Sequence, residues 1–175
     1  VNSTYEVKAE CDVCVTSSNA VKVVASLPQK QIIFVPDQNL ARYVAQQLPD
    51  KEIIPYCGFC IVHHQVSGAD VDKARASLPN AQLLVHPECT QEVVDKADFV
   101  GSTAGIIKRA TQSDNKEFII GTEMGILHVL QKKNPDKKFY LLSTKLLCSN
   151  MKKTKILDVY EALKYGQHEI ILDED

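Results

Sequence analysis

The sequence has 175 residues, of which 45% are apolar and 24% charged, a balance typical of a folded globular protein rather than a disordered one. Its 20 basic and 22 acidic residues give a net charge of −2, so the charge balance offers no argument for binding to nucleic acid. No apolar run approaches the roughly 20 residues that cross a bilayer, and no signal peptide is visible. We therefore expect no membrane partner and a location in the cytoplasm.

Short apolar runs alternate with amphipathic helices along the chain. The runs are rich in Ile, Val, Leu and Phe without strict alternation, which is typical of strands buried on both faces. The predicted strands are Val13–Thr16, Ile32–Val35, Ile53–Tyr56, Leu83–His86, Asp98–Gly101, Phe118–Gly121 and Phe139–Ser143. Four of the intervening helices run into a proline, which cannot continue a helix. We predict an α/β fold made of two three-layer αβα units with parallel sheets.

The chain also repeats itself. Four residues recur 86 positions later: Thr4 as Thr90, Glu6 as Glu92, Val7 as Val93 and Asp12 as Asp98. The repeat predicts a first unit at residues 1–61, a second at 62–148 and a C-terminal tail at 149–175. The strand Leu83–His86 opens the second unit, and its counterpart would precede Val1. We therefore expect the first unit to lack its first strand and the protein to have a further N-terminal domain.

Polar side chains follow the predicted strands, at the end of the sheet where parallel α/β folds bind ligands. Ser17-Ser18 in the first unit and Ser102-Thr103 in the second would each stand at a helix N-terminus, which favours anions. Ordinary N-capping explains either pair alone. Two pairs in equivalent positions favour a ligand that carries several carboxylate or phosphate groups.

Two further groups at strand ends bear reactive side chains. His86 and Glu88 follow one strand, and Glu88 would act as a general base if partial burial raised its pKa toward neutrality. The alternative is an exposed glutamate that precedes a helix. Cys60 and His63 follow another strand and are residue types that bind metals, although a buried cysteine beside a surface histidine is the simpler interpretation of that pair alone.

Six cysteines are many for a reducing compartment, where they indicate metal binding or catalysis more often than disulfides. The pairs Cys11-x2-Cys14 and Cys57-x2-Cys60 imitate a zinc site. Because the first pair runs into a predicted strand with no turn after it, we favour free buried cysteines at positions 11 and 14. The roles of Cys57 and Cys89 stay open.

Seven motifs, in order, closely resemble the quinolinate synthase family. They are VTSSNA (Val15–Ala20), FVPDQNLARYVA (Phe34–Ala45), GFCIVH (Gly58–His63), HPEC (His86–Cys89), VGSTAGI (Val100–Ile106), GTEMGILHVL (Gly121–Leu130) and CSNMKK (Cys148–Lys153). The resemblance implies three pseudo-threefold-related α/β domains, each of which gives one cysteine to a central four-iron, four-sulfur (4Fe-4S) cluster. This chain would be the second and third domains, with Cys60 and Cys148 as ligands and the third cysteine in the missing first domain.

The resemblance also implies the reaction, a condensation of iminoaspartate with dihydroxyacetone phosphate to give quinolinate, a precursor of NAD. The implied catalytic residues are Glu88, His86 and His63, and the implied substrate-binding residues are Asn2, Ser17, His86, Ser102 and Thr103. The tail would pack on the missing first domain, the protein would belong to a family that includes homodimers, and this chain alone would be inactive. The alternative is a non-catalytic, two-lobed binding protein for small carboxylate or phosphate ligands.

Overall fold

The structure is a computed structural model that describes residues 3–171. The described chain contains parallel sheets surrounded by helices, which confirms the predicted α/β fold. It divides into two compact units. The larger spans residues 15–147 and holds both sheets, and the smaller combines residues 3–14 with residues 148–171.

The strands form two parallel sheets. They are β1 (Gln31–Phe34), β2 (Glu52–Pro55), β3 (Gln82–Val85), β4 (Phe99–Val100), β5 (Glu117–Gly121) and β6 (Lys138–Leu141). Strands β1 and β2 pair with each other, and the other four lie in the order β4-β3-β5-β6. Each sheet covers its own apolar core, built on Phe34, Leu40 and Val44 in the first case and on Leu84 and Phe118 in the second.

Helices connect the strands. They are α1 (Tyr5–Ala9), α2 (Ala20–Ser26), α3 (Gln38–Gln47), α4 (Ile61–His64), α5 (Gly68–Ser77), α6 (Gln91–Asp95), α7 (Thr103–Gln112), α8 (Ile126–Lys133) and α9 (Ile156–Tyr165), with a 3₁₀ turn at Asn150–Lys152. Helices α2, α3, α5 and α8 each end, as predicted, just before a proline, because the residue that precedes the proline is the C-cap of the helix. None of the described helices is both long and apolar enough to cross a membrane.

One predicted strand is wrong, because Val13–Thr16 forms no ladder. Its repeat counterpart is β4, which pairs only with β3, through Leu84–Phe99 and Val85–Val100. Within the described residues no strand precedes β1, so the first repeat offers Val13–Thr16 no equivalent of β3. An apolar sequence alone does not make a strand when the neighbouring strand is lacking.

The repeat is visible as equivalent elements that begin 86 residues apart: α1 and α6, β1 and β5, and β2 and β6. The two sheets are nevertheless covered differently. Ile33 of β1 and its register partner Ile54 of β2 are 75% and 41% exposed, whereas Ile119, the counterpart of Ile33, is fully buried. Strand β5 pairs on both edges, while β1 pairs only with β2 in the described chain.

Candidate active site

Reactive side chains meet where strands end, as the sequence predicts for a parallel sheet. We call these residues the strand-exit group: Ser17, Cys60, His63, His86, Glu88 and Thr122. Cys60 and His63 follow β2, His86 and Glu88 follow β3, and Thr122 follows β5. The group therefore draws on both sheets.

His63 is the centre of the group. Its Nδ1 lies 3.1 Å from Glu88 Oε2 and 3.2 Å from Cys60 Sγ, and its Nε2 lies 3.0 Å from Thr122 Oγ1. The ring stacks on His86, with centroids 4.5 Å apart and an interplanar angle of 18°. Both imidazoles are buried. The simpler interpretation of Cys60 and His63 as a pair, which placed this histidine on the surface, is therefore wrong.

The contacts of His63 favour its charged form. Burial alone would lower the pKa of His63, but the hydrogen bonds to Cys60 and Glu88 outweigh it and raise that pKa to about 9. Burial alone would likewise raise the pKa of Glu88, but the hydrogen bond from His63 and the charge on that imidazole hold it below the usual range. The general-base role predicted from the sequence for Glu88 depends on a pKa raised toward neutrality by burial. The pKa is lowered instead, because the Glu88 carboxylate is paired with the imidazolium of His63.

His86 is held in the opposite state. Burial and then the charge on His63 lower the pKa of His86 to about 4. The Glu88 N–H donates to His86 Nδ1 (3.3 Å), so this nitrogen is an acceptor, and the 3.7 Å approach of Glu88 Oε2 to the same nitrogen is not an ion pair. The proton therefore stands on Nε2, which lies 3.1 Å from Ser17 Oγ. The group thus contains one charged and one neutral histidine.

Asp37 fixes the loop that carries Cys60. This buried residue caps α3, because the Leu40 N–H donates to its Oδ1 (2.7 Å), while the Cys60 N–H donates to its Oδ2 (2.7 Å). A Cβ at Gly58 would lie 2.5 Å from Pro36 O, so the loops after β1 and β2 touch through backbone. Burial raises the pKa of Asp37, and its two N–H donors partly offset that effect.

Asn39 contributes contacts that the sequence did not point out. Its buried amide donates to Glu88 O (3.0 Å), and Nδ2 lies 3.0 Å from His64 Nδ1. His64 in turn stacks on Phe59, with ring centroids 4.1 Å apart. The available signal was a polar residue on the apolar face of α3, since Asn forms helices poorly and needs partners when buried.

The two predicted anion-binding pairs differ in the structure. Ser102 caps α7, because the Gly105 N–H donates to its Oγ (3.1 Å), and Thr103 is the exposed first residue of that helix. Within the described residues neither Ser102 nor Thr103 forms a hydrogen bond with the strand-exit group. Ser17 makes no cap and instead meets His86. Asn2 lies outside the described residues.

The remaining cysteines have structural contacts. Cys11 Sγ donates to Val7 O (3.0 Å) and Cys14 Sγ to Lys8 O (3.8 Å). Both cysteines are free, but Cys11 is only partly buried and Cys14 is exposed, so the prediction that they are buried is wrong. Cys89 is buried, burial raises its pKa to about 12, and its thiol donates to Gly121 O (3.6 Å). Cys57 is exposed, and none of the six cysteines forms a disulfide.

The loop before Cys148 repeats the loop before Cys60. The Gln38 N–H donates to Gly58 O (2.8 Å), and 86 residues later the Met124 N–H donates to Leu146 O (2.9 Å). Each acceptor stands two residues before a cysteine. The same backbone contact therefore precedes the two cysteines that the repeat pairs.

Chemically, the strand-exit group is able to move protons and to bind metal. A buried imidazolium–carboxylate pair beside a neutral histidine offers both a proton donor and an acceptor within hydrogen-bond reach. Among the described residues, the group of metal-ligand side chains that converge is Cys60, His63 and Glu88, with ligand atoms within 4.8 Å of one another.

Comparison with known proteins gives consistent matches. The family model described as Quinolinate synthetase A protein matches residues 1–175. The quinolinate synthase of Alkaliphilus metalliredigens is 64% identical over 174 residues, covering 99% of this chain and 57% of that protein. Those of Clostridium kluyveri and Methanoregula boonei are 55% and 49% identical, and each match covers 100% of this chain and 58% of the relative.

The chain thus spans 57–58% of the length of these relatives. The family match extends from the first to the last residue and includes every motif on which the resemblance rests. The resemblance is confirmed, and the chain belongs to the quinolinate synthase family.

Proposed function

We propose that the whole protein condenses iminoaspartate with dihydroxyacetone phosphate to quinolinate in the cytoplasm. We further propose that this chain supplies the second and third of three related domains, divided near residues 61 and 148. The observation that carries the proposal is the ionised pair of His63 and Glu88, 3.1 Å apart and beside Cys60 Sγ. Family membership supports the reaction, and the geometry supports the assignment of roles.

Glu88 and His63 are the proposed proton-transfer pair. The condensation releases phosphate and two waters, so it needs protons removed from carbon and delivered to leaving oxygen. The Glu88 carboxylate accepts a proton from substrate, and the imidazolium of His63 at 3.1 Å donates one. Because both groups are largely buried, solvent does not screen this exchange. His86, neutral and bonded to Ser17, offers an Nε2–H donor to a substrate carboxylate or carbonyl.

The proposed anion contacts lie at the N-terminal ends of two helices, α7 and α2. Ser102 and Thr103 stand at the N-terminus of α7, where free N–H groups favour a carboxylate or phosphate. Ser17 stands before α2 and already shares a hydrogen bond with His86. Asn2 is a further proposed substrate contact, as the resemblance to the family implies.

The thiols of this chain fit the cysteine ligation of a 4Fe-4S cluster. Cys60 is partly exposed at the end of a strand-exit loop, and the loop before Cys148 carries the equivalent backbone bond. Cys60 and Cys148 would be two ligands, and we propose that the third comes from the part of the protein outside this chain. When bound, the cluster supplies a Lewis-acidic iron that polarises substrate oxygen or nitrogen.

The test compares the whole protein with this chain, both purified without oxygen. The whole protein should show iron–sulfur absorption and form quinolinate, whereas this chain should do neither, because two thiolates are too few to fix a cluster that needs three. Glu88→Gln in the whole protein should lower kcat at least about 100-fold and leave iron content unchanged. Glu92→Gln, an exposed glutamate of α6, is the matched control.

Other results would overturn the proposal. A whole protein that contains iron but never forms quinolinate would contradict the reaction. Binding of phosphate or dicarboxylate that is indifferent to replacement of Glu88, Cys60 and Cys148 would instead favour the non-catalytic binding protein.

A further inference from the structure

Three side chains of different chemistry converge on one point in the strand-exit group. Cys60 Sγ, His63 Nδ1 and Glu88 Oε2 belong to a set of ligand atoms that lie within 4.8 Å of one another. We propose that these three atoms bind a single zinc ion. This site is separate in kind from a cysteine-ligated cluster and shares only Cys60 with it.

The donor set suits zinc. Thiolate sulfur, imidazole nitrogen and carboxylate oxygen are its usual ligands, and three protein ligands with an open fourth position are typical of zinc sites that also bind water or substrate. Bonds of about 2.0–2.3 Å place the ligand atoms of a tetrahedral ion about 3.3–3.7 Å apart. The present separations of 3.1 Å and 3.2 Å are close to these, so small side-chain rotations admit the ion.

The surrounding contacts hold each ligand in position. His63 Nε2 bonds to Thr122 Oγ1 (3.0 Å), which orients the ring so that Nδ1 faces the other two ligands. The Cys60 backbone is fixed by Asp37 and the Glu88 backbone by Asn39. Such outer contacts are a regular part of protein metal sites. On binding, zinc takes the place of the proton on His63 Nδ1 and of the thiol proton of Cys60, and both protons leave to solvent.

The shared cysteine makes the two metal states exclusive. A thiolate that ligates a zinc ion in this trio is not available to an iron–sulfur cluster, so zinc would compete with cluster assembly. Only this competition rests on the proposed function, since the zinc site itself requires nothing beyond the described residues.

The test is a cobalt(II) titration of the chain after removal of bound metal by a chelator without oxygen, because cobalt reports its ligands by absorption. We expect one cobalt per chain, a thiolate-to-cobalt charge-transfer band, and displacement of cobalt by zinc. Cys60→Ser should abolish the band, and His63→Gln and Glu88→Gln should each weaken binding at least about tenfold. Thr122→Val should weaken it about 10–100-fold.

The chain provides matched controls. Cys57→Ser and His128→Gln change an exposed cysteine and an exposed histidine outside the trio and should leave the titration unaltered. Absence of the band, or a band that survives Cys60→Ser, would overturn the proposal, and loss of the band in Cys57→Ser or Cys11→Ser would do so in favour of a CxxC zinc site. If Cys60→Ser does not fold, an affinity unchanged in Glu88→Gln overturns it.

Failure of this proposal is distinct from failure of the proposed function. Quinolinate formation by the cluster-containing whole protein does not require the zinc site, and cobalt binding by this chain does not require catalysis.

Discussion

At the scale of single residues, the Asp37 carboxylate joins the start of α3 to the loop that carries Cys60. Its two oxygens accept from two different N–H groups, one in α3 and one in the loop of Cys60, and the side chain is buried. The residue therefore couples the start of a helix to the position of a proposed metal ligand.

Asp37→Asn should remove one of the two hydrogen bonds without changing the packing. The asparagine side chain has the same shape, but it presents an NH₂ group to one of the two N–H donors. We expect a loss of about 1–3 kcal/mol in the free energy of unfolding, measured by urea denaturation. We also expect less iron in the anaerobically purified whole protein. Asp50→Asn, an exposed aspartate of the same unit, is the control. Equal stability of the two variants would show that Asp37 does not join the loops.

The sequence predicted the reactive members of the site better than their partners. Glu88, His86, His63 and Cys60 each follow an apolar run within a few residues, and the ends of parallel strands meet. The contact of Asn39 with Glu88 depends on how α3 lies against a loop 49 residues later, which no local pattern encodes. The charge state of Glu88 was missed for the same reason, because His63 arrives from another strand.

At the scale of elements, two lysines cap the C-terminal ends of helices that the repeat pairs. Lys137 Nζ donates to the carbonyls of Ala110 (2.8 Å), Thr111 (3.2 Å) and Ser113 (2.6 Å) at the end of α7, and the residue is only 7% exposed. An ammonium at this position satisfies carbonyls that have no partner within the helix.

Lys51, 86 residues before Lys137, does the same after α2. Its Nζ donates to Leu27 O (2.7 Å) and Gln29 O (2.8 Å), but the residue is only half-buried. Both lysines thus donate to carbonyls beyond a helix end, but Lys137 is more buried than Lys51. The pair therefore allows the effect of burial to be compared within one chain.

Lys137→Met should therefore cost more stability than Lys51→Met. Methionine keeps the apolar stem but leaves three carbonyls, one buried and two partly buried, without their ammonium donor. We therefore expect a loss of about 2–4 kcal/mol at position 137 and about 1 kcal/mol at position 51. Urea midpoints of the two variants and the parent chain measure the difference. Equal losses would mean that burial of the carbonyls is not what sets the cost.

A second element, α5, begins with a reciprocal cap. The Ser67 N–H donates to Asp70 Oδ2 (2.9 Å), the Asp70 N–H donates to Ser67 Oγ (3.3 Å), and Lys145 Nζ lies 3.1 Å from the same carboxylate oxygen. The Ser67 N–H, and next the Ser67 hydroxyl and Lys145, hold the pKa of Asp70 below its usual 3.8, although burial slightly opposes this.

Because that pKa is lowered in the folded state, the carboxylate stabilises the fold above the ordinary aspartate pKa, and the effect disappears as the pH falls through the folded value. Asp70→Asn should cost about 0.5–1 kcal/mol at pH 7, a modest figure because solvent screens this partly exposed group, and almost nothing near pH 2–3. Asp72→Asn, with a 65% exposed carboxylate on the same helix, is the control for loss of charge. A loss of stability that does not depend on pH would contradict the stabilising role of the ionised Asp70 carboxylate in this cap.

Helix ends were readable from the sequence because proline acts on its own backbone and on the residue before it. An apolar segment was correctly predicted as a strand only where the described chain also contains the strand with which it pairs. The same kind of apolar segment forms β4 in one repeat and no strand at Val13–Thr16 in the other. Periodicity therefore predicted the alternating elements, and the partner strand decided which of them formed a ladder.

At the scale of the whole molecule, the two sheets differ in what covers them. Parallel sheets normally bury both faces, yet the face of β1 and β2 that carries Ile33 and Ile54 is exposed. The relatives extend beyond this chain by roughly two fifths of their length. We predict that, in a protein as long as these relatives, part of the additional length covers this face.

The repeat offers a direct test, since Ile33 and Ile119 are equivalent positions with opposite exposure, 75% and 0%. In this chain Ile33→Lys should change the free energy of unfolding by at most about 0.5 kcal/mol, whereas Ile119→Lys, which buries an unpaired ammonium, should cost more than about 4 kcal/mol. In the whole protein we expect both substitutions to be severe, because Ile33 is then buried as Ile119 is here. Urea unfolding of both proteins measures this. If Ile33→Lys stays harmless in the whole protein, the face is open to solvent there as well, and the additional chain lies elsewhere.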